Sequence, residues 1–178
     1  MGPFDAAPDD CRFVFTLVDY YSKWPEIAFV SYPSTEAMMQ FLSTVFNREG
    51  KELISDNAVQ FTSHDFKLFL QRRGIIHRTS SLYYPRANGE VKRFNRSLKD
   101  SLQTASLEGR GWKEFTKDFV QAYLAMPHAT TQCTPTEFLH GRAMLTKFSV
   151  SGLCLPPAGK LLTPHQLASH VREKQEKK

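Results

Sequence analysis

Cysteine is scarce in this sequence and long apolar runs are missing, and each shortage excludes a class of protein. Cys11, Cys133 and Cys154 are odd in number, lie far apart and form no Cys-x-x-Cys pair, so we expect reduced thiols rather than a disulfide framework or a cysteine-based zinc site. No apolar run approaches the roughly 20 residues of a membrane span, and the first residues do not resemble a secretory signal. We therefore expect a soluble intracellular protein, nuclear or cytoplasmic, with no membrane partner.

The composition is that of a globular domain with a basic charge balance. The 178 residues are 41% hydrophobic and 12% aromatic, which is enough apolar material for one sizeable core. The formal net charge is +5, and this excess of cations permits a polyanionic partner such as nucleic acid. Because many soluble proteins are basic, the position of the cations along the chain matters more than their sum.

The order of apolar and turn-forming stretches predicts an α/β domain. Strands are expected where β-branched and aromatic residues cluster, at residues 12–19, 27–31, 52–55 and 75–78. Helices are expected behind capping residues, where apolar residues recur every three or four positions: after Ser34 or Thr35, between Ser63 and Gly74, after Gly89, at 112–123 and at 136–140. The first six elements follow the order β-β-α-β-α-β, and residues 80–89 are expected to form a loop.

Three stretches carry a specific resemblance when they are taken together. They are VDYYSKWPE at 18–26, SDNAVQFTSHDF at 55–66 and YYPRANGEVKRFNRSLK at 83–99. The set resembles the integrase catalytic core of gypsy-type retrotransposons and retroviruses, within the RNase H-like superfamily. TPTEFLHGRAMLTK at 134–147 is similar to the segment that leaves this core. The resemblance implies an integrase core-like domain at residues 1–147, truncated at its N-terminus, followed by a linker and charged tail at 148–178.

The resemblance implies a fold and a chemistry. The fold is α/β, an RNase H-like mixed sheet of five strands flanked by helices. The chemistry is phosphoryl transfer, in which three carboxylates hold two Mg²⁺ or Mn²⁺ ions about 4 Å apart. Carboxylates suit this task because hard cations take oxygen ligands and their negative charge offsets that of the ions. Asp56 matches the second of the three, at the end of the third predicted strand.

The third carboxylate of the family is replaced in this sequence. The family's glutamate stands three residues after the loop glycine, and that position here holds Lys92, at the family's spacing from Asp56. Glu90 stands two positions earlier, which on a helix turns it by roughly 200° from position 92. We therefore interpret Glu90 as an acidic residue of the first helical turn, where the helix dipole favours it.

The first carboxylate of the family is not found at its expected place either. Its D-x-x-G-P pattern remains here only as Met1-Gly2-Pro3, so the first, central strand is expected to be largely missing. Asp19 matches an aspartate with a structural role in the turn after the family's second strand. The inner edges beside the missing strand would lack partners, which predicts either marginal stability or a partial replacement by residues 1–4.

These replacements predict a degenerate integrase core that is catalytically inactive. A lone carboxylate at Asp56 cannot position two metals, and a protonated lysine adds charge without offering a lone pair. An active metal-dependent polynucleotidyl transferase or nuclease would require Asp19, Asp56 and Glu90 to act together. Family cores also dimerise, so a homodimer is expected, and a dimerising interaction module that uses Trp112 and Phe119 is a third interpretation.

A basic stripe on the helix after Gly89 predicts nucleic-acid binding. Lys92, Arg96 and Lys99 follow one another at four- and three-residue spacing, opposite an apolar face. Positions 96 and 99 match basic residues that contact viral DNA in retroviral integrases, and phosphate contacts of this kind bind DNA or RNA without sequence preference. The full set of predicted contacts is Lys92, Arg93, Arg96, Lys99, Arg86, Tyr83 and Asn88.

Overall fold

The computed structural model describes residues 1–46, 52–80 and 89–144. After a single 3₁₀ turn at Asp9–Cys11, the regular elements are β1 (Phe13–Val18), β2 (Pro25–Val30), α1 (Thr35–Phe46), β3 (Glu52–Ser55), α2 (Val59–Thr62), α3 (His64–Arg72), β4 (Ile76–Thr79), α4 (Gly89–Leu107), α5 (Trp112–Ala125) and α6 (Pro135–His140). The predicted order is confirmed, with one short helix added before α3.

The chain divides into two compact units, which are described separately. The first comprises Met1–Leu17 and Glu26–Trp112, and the second comprises Val18–Pro25 and the chain from Lys113 onward. No helix within the described ranges has the length and apolar character needed to cross a membrane. The boundary predicted at residue 147 and the tail at 148–178 lie outside the described residues.

The first unit is built around one apolar core. Its buried members are Phe15, Met38, Phe41, Leu42, Leu53, Phe66, Leu70 and Ile75. Helix α1 contributes three of them from one face, because positions three and four residues apart share a side of a helix. Ser34 caps this helix as predicted, since its Oγ accepts the Ala37 N–H at 3.1 Å. Ser63 likewise caps α3, accepting the Phe66 N–H at 3.3 Å.

The strands of the described residues form two pairs rather than one continuous sheet. β1 pairs with β2, and β3 pairs with β4. The second pair is parallel, with Glu52 opposite Ile76 and Ser55 opposite Thr79. The crossover between β3 and β4 is made by α2 and α3, as parallel pairing requires. The α/β class predicted from the sequence is confirmed, while the single five-stranded sheet implied by the resemblance is not present in these residues.

Residues 1–4 pair with the edge of β1 that faces away from β2. Met1 and Val14 exchange two backbone hydrogen bonds, with the Val14 N–H at 2.9 Å and the Met1 amine at 2.6 Å from the partner carbonyl. The Phe4 N–H donates to the Arg12 carbonyl at 2.9 Å. A Cβ at Gly2 would lie 2.5 Å from the Arg12 oxygen, so only glycine fits there. Residues 1–4 therefore provide backbone partners for part of this edge of β1.

The second unit is held by caps and turns. Helix α6 carries a full capping box, in which the Thr134 hydroxyl accepts from Glu137 and the Glu137 carboxylate accepts from Thr134. The Thr136 hydroxyl donates to the Leu124 carbonyl at 3.0 Å and so joins α6 to α5. Lys23, with a positive φ and 1% exposure, donates its ammonium to the Tyr20 carbonyl at 2.6 Å.

Several element boundaries differ from the sequence prediction by one or two residues, and one element was not predicted. Helix α2 has no predicted counterpart: it has no buried residue and Val59 is 82% exposed, so the sequence shows no apolar period there. Strand β4 begins at Ile76 rather than Ile75, because the Ile75 N–H closes the end of α3 on the Leu70 carbonyl at 3.0 Å. Helix α4 follows the predicted period, with Phe94, Leu98 and two further residues buried along one side.

Candidate active site and basic helix face

Asp56 stands at the carboxyl end of β3, where its side chain is exposed. Its Oδ1 accepts the Ala58 N–H at 3.2 Å, a turn contact that precedes α2. Ser55, 6% exposed, donates its hydroxyl to the Asp56 carbonyl at 2.8 Å. The backbone at Asp56 is thus fixed from the buried side.

His77 supports the same turn from the neighbouring strand. Its Nε2 lies 2.9 Å from the Ser55 Oγ. Which of the two atoms donates depends on the tautomer of the His77 ring. Burial, with the positive charge of Lys67 adding to it, lowers the pKa of His77. The sequence alone does not connect His77 to Ser55, and the parallel register of β3 and β4 supplies this link.

Asp56 and Lys92 line one cavity of about 330 Å³ in the first unit. Lys92 is exposed in the first turns of α4. One turn further on, Asn95 accepts the Thr16 hydroxyl at 2.7 Å, and this bond joins α4 to β1. Asn95 and Thr16 were not among the predicted site residues, although the spacing of Asn95 from Lys92 could have indicated the former. Asp56 is the only acidic residue among the described residues that line this cavity.

Glu90 is engaged elsewhere on the surface of α4. Its carboxylate forms an ion pair with Arg93 at 2.6 Å, and the Glu90 side chain is 19% exposed against 68% for Arg93. Glu90 does not line the cavity shared by Asp56 and Lys92. This arrangement agrees with the interpretation of Glu90 as an acidic residue of the first helical turn.

Asp19 belongs to the second unit, and its carboxylate accepts hydrogen bonds within its own turn. Its Oδ2 accepts both the backbone N–H and the hydroxyl of Ser22, each at 2.7 Å. Among the described residues, no group of three histidine, cysteine or acidic side chains converges as a metal site would require. Of the three acids named in the active-enzyme interpretation, Asp19 belongs to the second unit, whereas Asp56 and Glu90 belong to the first.

The basic stripe lies on the solvent side of α4. Lys92, Arg93, Arg96 and Lys99 are all exposed, whereas Phe94 is 3% exposed on the opposite side. Lys92, Arg96 and Lys99 therefore present their cations in a row along about two turns of helix. Tyr83, Arg86 and Asn88, the other predicted contacts, lie outside the described residues.

Trp112 is not available as a dimer contact. It is 7% exposed, and its ring meets that of Phe4 edge-on at 5.3 Å within the first unit. Phe119, in the second unit, stacks against Tyr123 with a centroid distance of 6.4 Å. The suggestion of a dimerising face that carries both residues is therefore wrong for Trp112, and homodimerisation stays a prediction.

The fold defined by these elements is that of integrase catalytic cores. The structure is similar to the catalytic core domain of BIV integrase, with a TM-score of 0.59, 22% identity and coverage of 70% of this chain and 82% of that one. It is also similar to a chain of the simian T-cell lymphotropic virus intasome in complex with PP2A regulatory subunit B56 gamma, with a TM-score of 0.63, 18% identity and coverage of 75% and 50%.

The sequence comparisons give the same family. Residues 6–85 match the integrase core domain family. The chain is 32% identical over 168 residues to an uncharacterised protein of Caenorhabditis elegans, and 27% identical over 132 residues to the Transposon Tf2-3 polyprotein of Schizosaccharomyces pombe. It covers 13% and 10% of these relatives' lengths. The resemblance to integrase catalytic cores seen in the motifs is therefore confirmed.

Proposed function

We propose that this integrase core is degenerate: it binds nucleic acid but does not catalyse phosphoryl transfer. The observation that carries the proposal is that Lys92, at the position of the family's third carboxylate, lines the same cavity as Asp56. An ammonium group has three donors and no lone pair, so it cannot coordinate a cation. The described donors at this cavity therefore do not fit a pair of divalent ions.

The charge of Lys92 strengthens this argument. Two divalent ions bring four positive charges to a site, and the family offsets these with three carboxylates. A single carboxylate beside a lysine leaves the local charge near zero before any ion arrives. Since like charges repel more strongly in a partly enclosed site than in water, Lys92 also opposes the binding of a single ion to Asp56.

Replacement of the lost carboxylate by Glu90 is disfavoured. Glu90 would have to leave its 2.6 Å ion pair with Arg93 and reach a cavity that it does not line. Its position on the helix turns it by roughly 200° from Lys92. The first turn of α4 would have to unwind for Glu90 to approach Asp56, which would forfeit helical hydrogen bonds.

Nucleic-acid binding is supported by the exposed cations of α4. Lys92, Arg96 and Lys99 form a row whose spacing suits contact with successive phosphates. The lysine that replaces the glutamate extends this row by one charge, so the substitution that removes catalysis would strengthen electrostatic attachment. Binding of this kind takes DNA or RNA with little sequence preference and weakens as salt rises.

A metal titration tests the proposed cause of inactivity. Mn²⁺ binding is measured by calorimetry on the wild type, on Lys92→Glu and on the matched variant Arg96→Glu, which makes the same charge change one turn along the helix. We expect Lys92→Glu to bind Mn²⁺ at least about tenfold more tightly than the other two, because only it adds an oxygen ligand to the cavity. Addition of Asp56→Asn to Lys92→Glu is expected to abolish the gain.

A cleavage assay tests the inactivity itself. A DNA-end substrate is incubated with the wild-type chain and Mg²⁺ or Mn²⁺, with Asp56→Asn as the control for contaminating nuclease. We expect no nicking that depends on Asp56. Metal-dependent nicking by the wild type that Asp56→Asn abolishes would overturn the proposal and would favour the active-enzyme interpretation.

A further inference from the structure

The basic stripe of α4 begins beside a carboxylate. Lys92, the first cation of the stripe, and Asp56 are both exposed, and both line the same cavity of the first unit. Arg96 and Lys99 do not line it. A primary amine beside a carboxylate combines a nucleophile for carbonyl groups with an acceptor for a proton, and imine chemistry uses both groups. This end of the stripe therefore has the groups for a chemical reaction as well as for binding.

The chemistry of Lys92 differs from that of the other cations of the stripe. The guanidinium of Arg96 stays protonated and offers no free lone pair, so it cannot attack a carbonyl carbon. Lys99 is an amine, but it lies seven residues further on, about 10.5 Å along the helix axis. Lys92 is therefore the amine of the stripe that stands with Asp56.

The two side chains are not held away from each other by ion pairs. Among the residues that the structure describes, Lys92 forms no ion pair, because Glu90, the nearest acid on α4, pairs with Arg93 at 2.6 Å. Asp56 accepts one N–H, at 3.2 Å, and a carboxylate has acceptor sites for further donors. Both groups can therefore act on a bound molecule.

The substrate class follows from what the stripe binds, so this step rests on the proposed function. Phosphates bound by Arg96 and Lys99 bring sugars of the same strand to Lys92. An intact nucleotide offers no aldehyde, whereas a deoxyribose that has lost its base opens to an aldehyde at C1′. Such a lesion also needs no base to be unpaired before the sugar is reached. The carbonyl substrate that fits this site is therefore an abasic site in DNA.

We propose that Lys92 and Asp56 cleave DNA at abasic sites by β-elimination. The neutral amine of Lys92 attacks C1′ of the open sugar, and loss of water leaves an imine between Nζ and C1′. The Asp56 carboxylate accepts a proton from C2′, and the electron pair of that C–H bond forms a C2′–C3′ double bond. The C3′–O bond breaks, and the phosphate on C3′ leaves with its electron pair. Water then hydrolyses the imine and frees Lys92.

Borohydride trapping tests the imine. A fluorescein-labelled duplex with one abasic site is incubated with the chain in EDTA, so that no divalent ion takes part. Borohydride reduces the imine to a stable amine, which a denaturing gel shows as a protein–DNA adduct. We expect an adduct with the wild type and at least about tenfold less with Lys92→Arg, which keeps the charge but loses the amine. Lys67→Arg, the same change at an exposed lysine of α3 that does not line the cavity, should give the wild-type yield.

Strand cleavage without borohydride tests the role of Asp56. The assay uses protein concentrations that saturate the duplex, so that differences in affinity do not enter. We expect Asp56→Asn to slow cleavage at least about tenfold, because an amide does not accept the C2′ proton, and to lower the yield of trapped adduct far less. Asp65→Asn, the same change at an exposed acid of α3, should match the wild type in both measurements. A purely structural role of Asp56 would lower both measurements together.

Two results would overturn the proposal. One is an equal yield of adduct with Lys92→Arg, which would assign the imine to another amine, such as that of Met1, which donates to the Val14 carbonyl at 2.6 Å. The other is the absence of adduct and cleavage although fluorescence anisotropy shows that the abasic duplex is bound. A duplex that does not bind at all would contradict the proposed function as well, and anisotropy shows this separately. The assay for phosphoryl transfer is independent, because an intact DNA end carries no aldehyde.

Discussion

Two turns of this molecule each begin with an aspartate, but the two aspartates have different roles. Asp19 follows β1 and Asp56 follows β3, so each acidic residue stands directly after a strand. Asp19 accepts two hydrogen bonds from Ser22, both at 2.7 Å, and is held by its own turn. Asp56 accepts one N–H at 3.2 Å and lines a cavity with Lys92.

The hydrogen bonds that a carboxylate accepts distinguish one that stabilises the fold from one that is available for chemistry. A carboxylate that accepts short bonds from a buried hydroxyl and a backbone N–H contributes to stability, and little of it remains to bind a ligand. Ser22 is 2% exposed, so its two donors depend on Asp19. The backbone at Asp56 is instead held by Ser55 and His77, which leaves the carboxylate on the surface.

Removal of the two carboxylates should therefore affect stability very differently. We expect Asp19→Ala to lower the free energy of unfolding by about 2 kcal/mol, because it leaves two donors of Ser22 without an acceptor. Asp56→Ala should change it by less than about 0.5 kcal/mol, as is usual for exposed positions. Urea unfolding followed by circular dichroism measures both variants.

A reversed order of the two losses of stability would contradict this interpretation. If Asp56→Ala proved more destabilising than Asp19→Ala, Asp56 would be the structural acid of the pair. Ser22→Ala provides the internal control, since the double variant Asp19→Ala with Ser22→Ala should cost less than the sum of the two single changes.

The features of this site that could be predicted are those that depend on residues near one another in the sequence. The helix of Lys92 and its exposed basic face follow from the period of Phe94 and Leu98, which the sequence displays directly. The cap of α1 by Ser34 is equally local. These features were predicted because each rests on contacts between residues a few positions apart.

The features that were missed depend on contacts between distant segments. Ser55 meets His77 only because β3 and β4 pair in a particular parallel register. The bond between Thr16 and Asn95 spans 79 positions. Similarly, Trp112 was expected on a surface, and only its contact with Phe4 shows that it is buried. Apolar periodicity identifies the buried side of an element but does not identify its partner.

Nucleic-acid affinity should respond to the basic stripe on α4. We expect Arg96→Ala combined with Lys99→Ala to weaken binding by about tenfold at moderate salt and to reduce the slope of log affinity against log salt by about 1.8. Arg72→Ala removes one exposed cation of α3 and is the single-charge control, with little change expected. Fluorescence anisotropy with a labelled duplex measures all three proteins, and an equal loss of binding free energy per removed charge in Arg72→Ala would show that only net charge matters.

The same assay distinguishes the two aspartates by a smaller effect. Asp56 shares a cavity with Lys92 at the start of the stripe, so its negative charge opposes an approaching phosphate. We expect Asp56→Asn to tighten binding by about threefold at low salt, with the effect vanishing at high salt as screening grows. Asp19→Asn should leave the affinity unchanged, provided that the variant is measured where it is fully folded. If Asp19→Asn increased the affinity for nucleic acid and Asp56→Asn did not, Asp56 would not lie near the surface that binds nucleic acid.

The support of the Asp56 turn by His77 predicts a small dependence of stability on pH. Burial lowers the pKa of His77 below its ordinary value of 6.5, so between these two pKa values the unfolded chain binds more protons than the folded one. Stability therefore rises with pH across this window and is lost as pH falls below 6.5. We expect the urea midpoint to fall more between pH 7.5 and pH 5.5 for the wild type than for His77→Gln. His64→Gln, at an exposed histidine of α3, should retain the wild-type difference, and an unchanged pH response in His77→Gln would show that His77 does not contribute to the dependence.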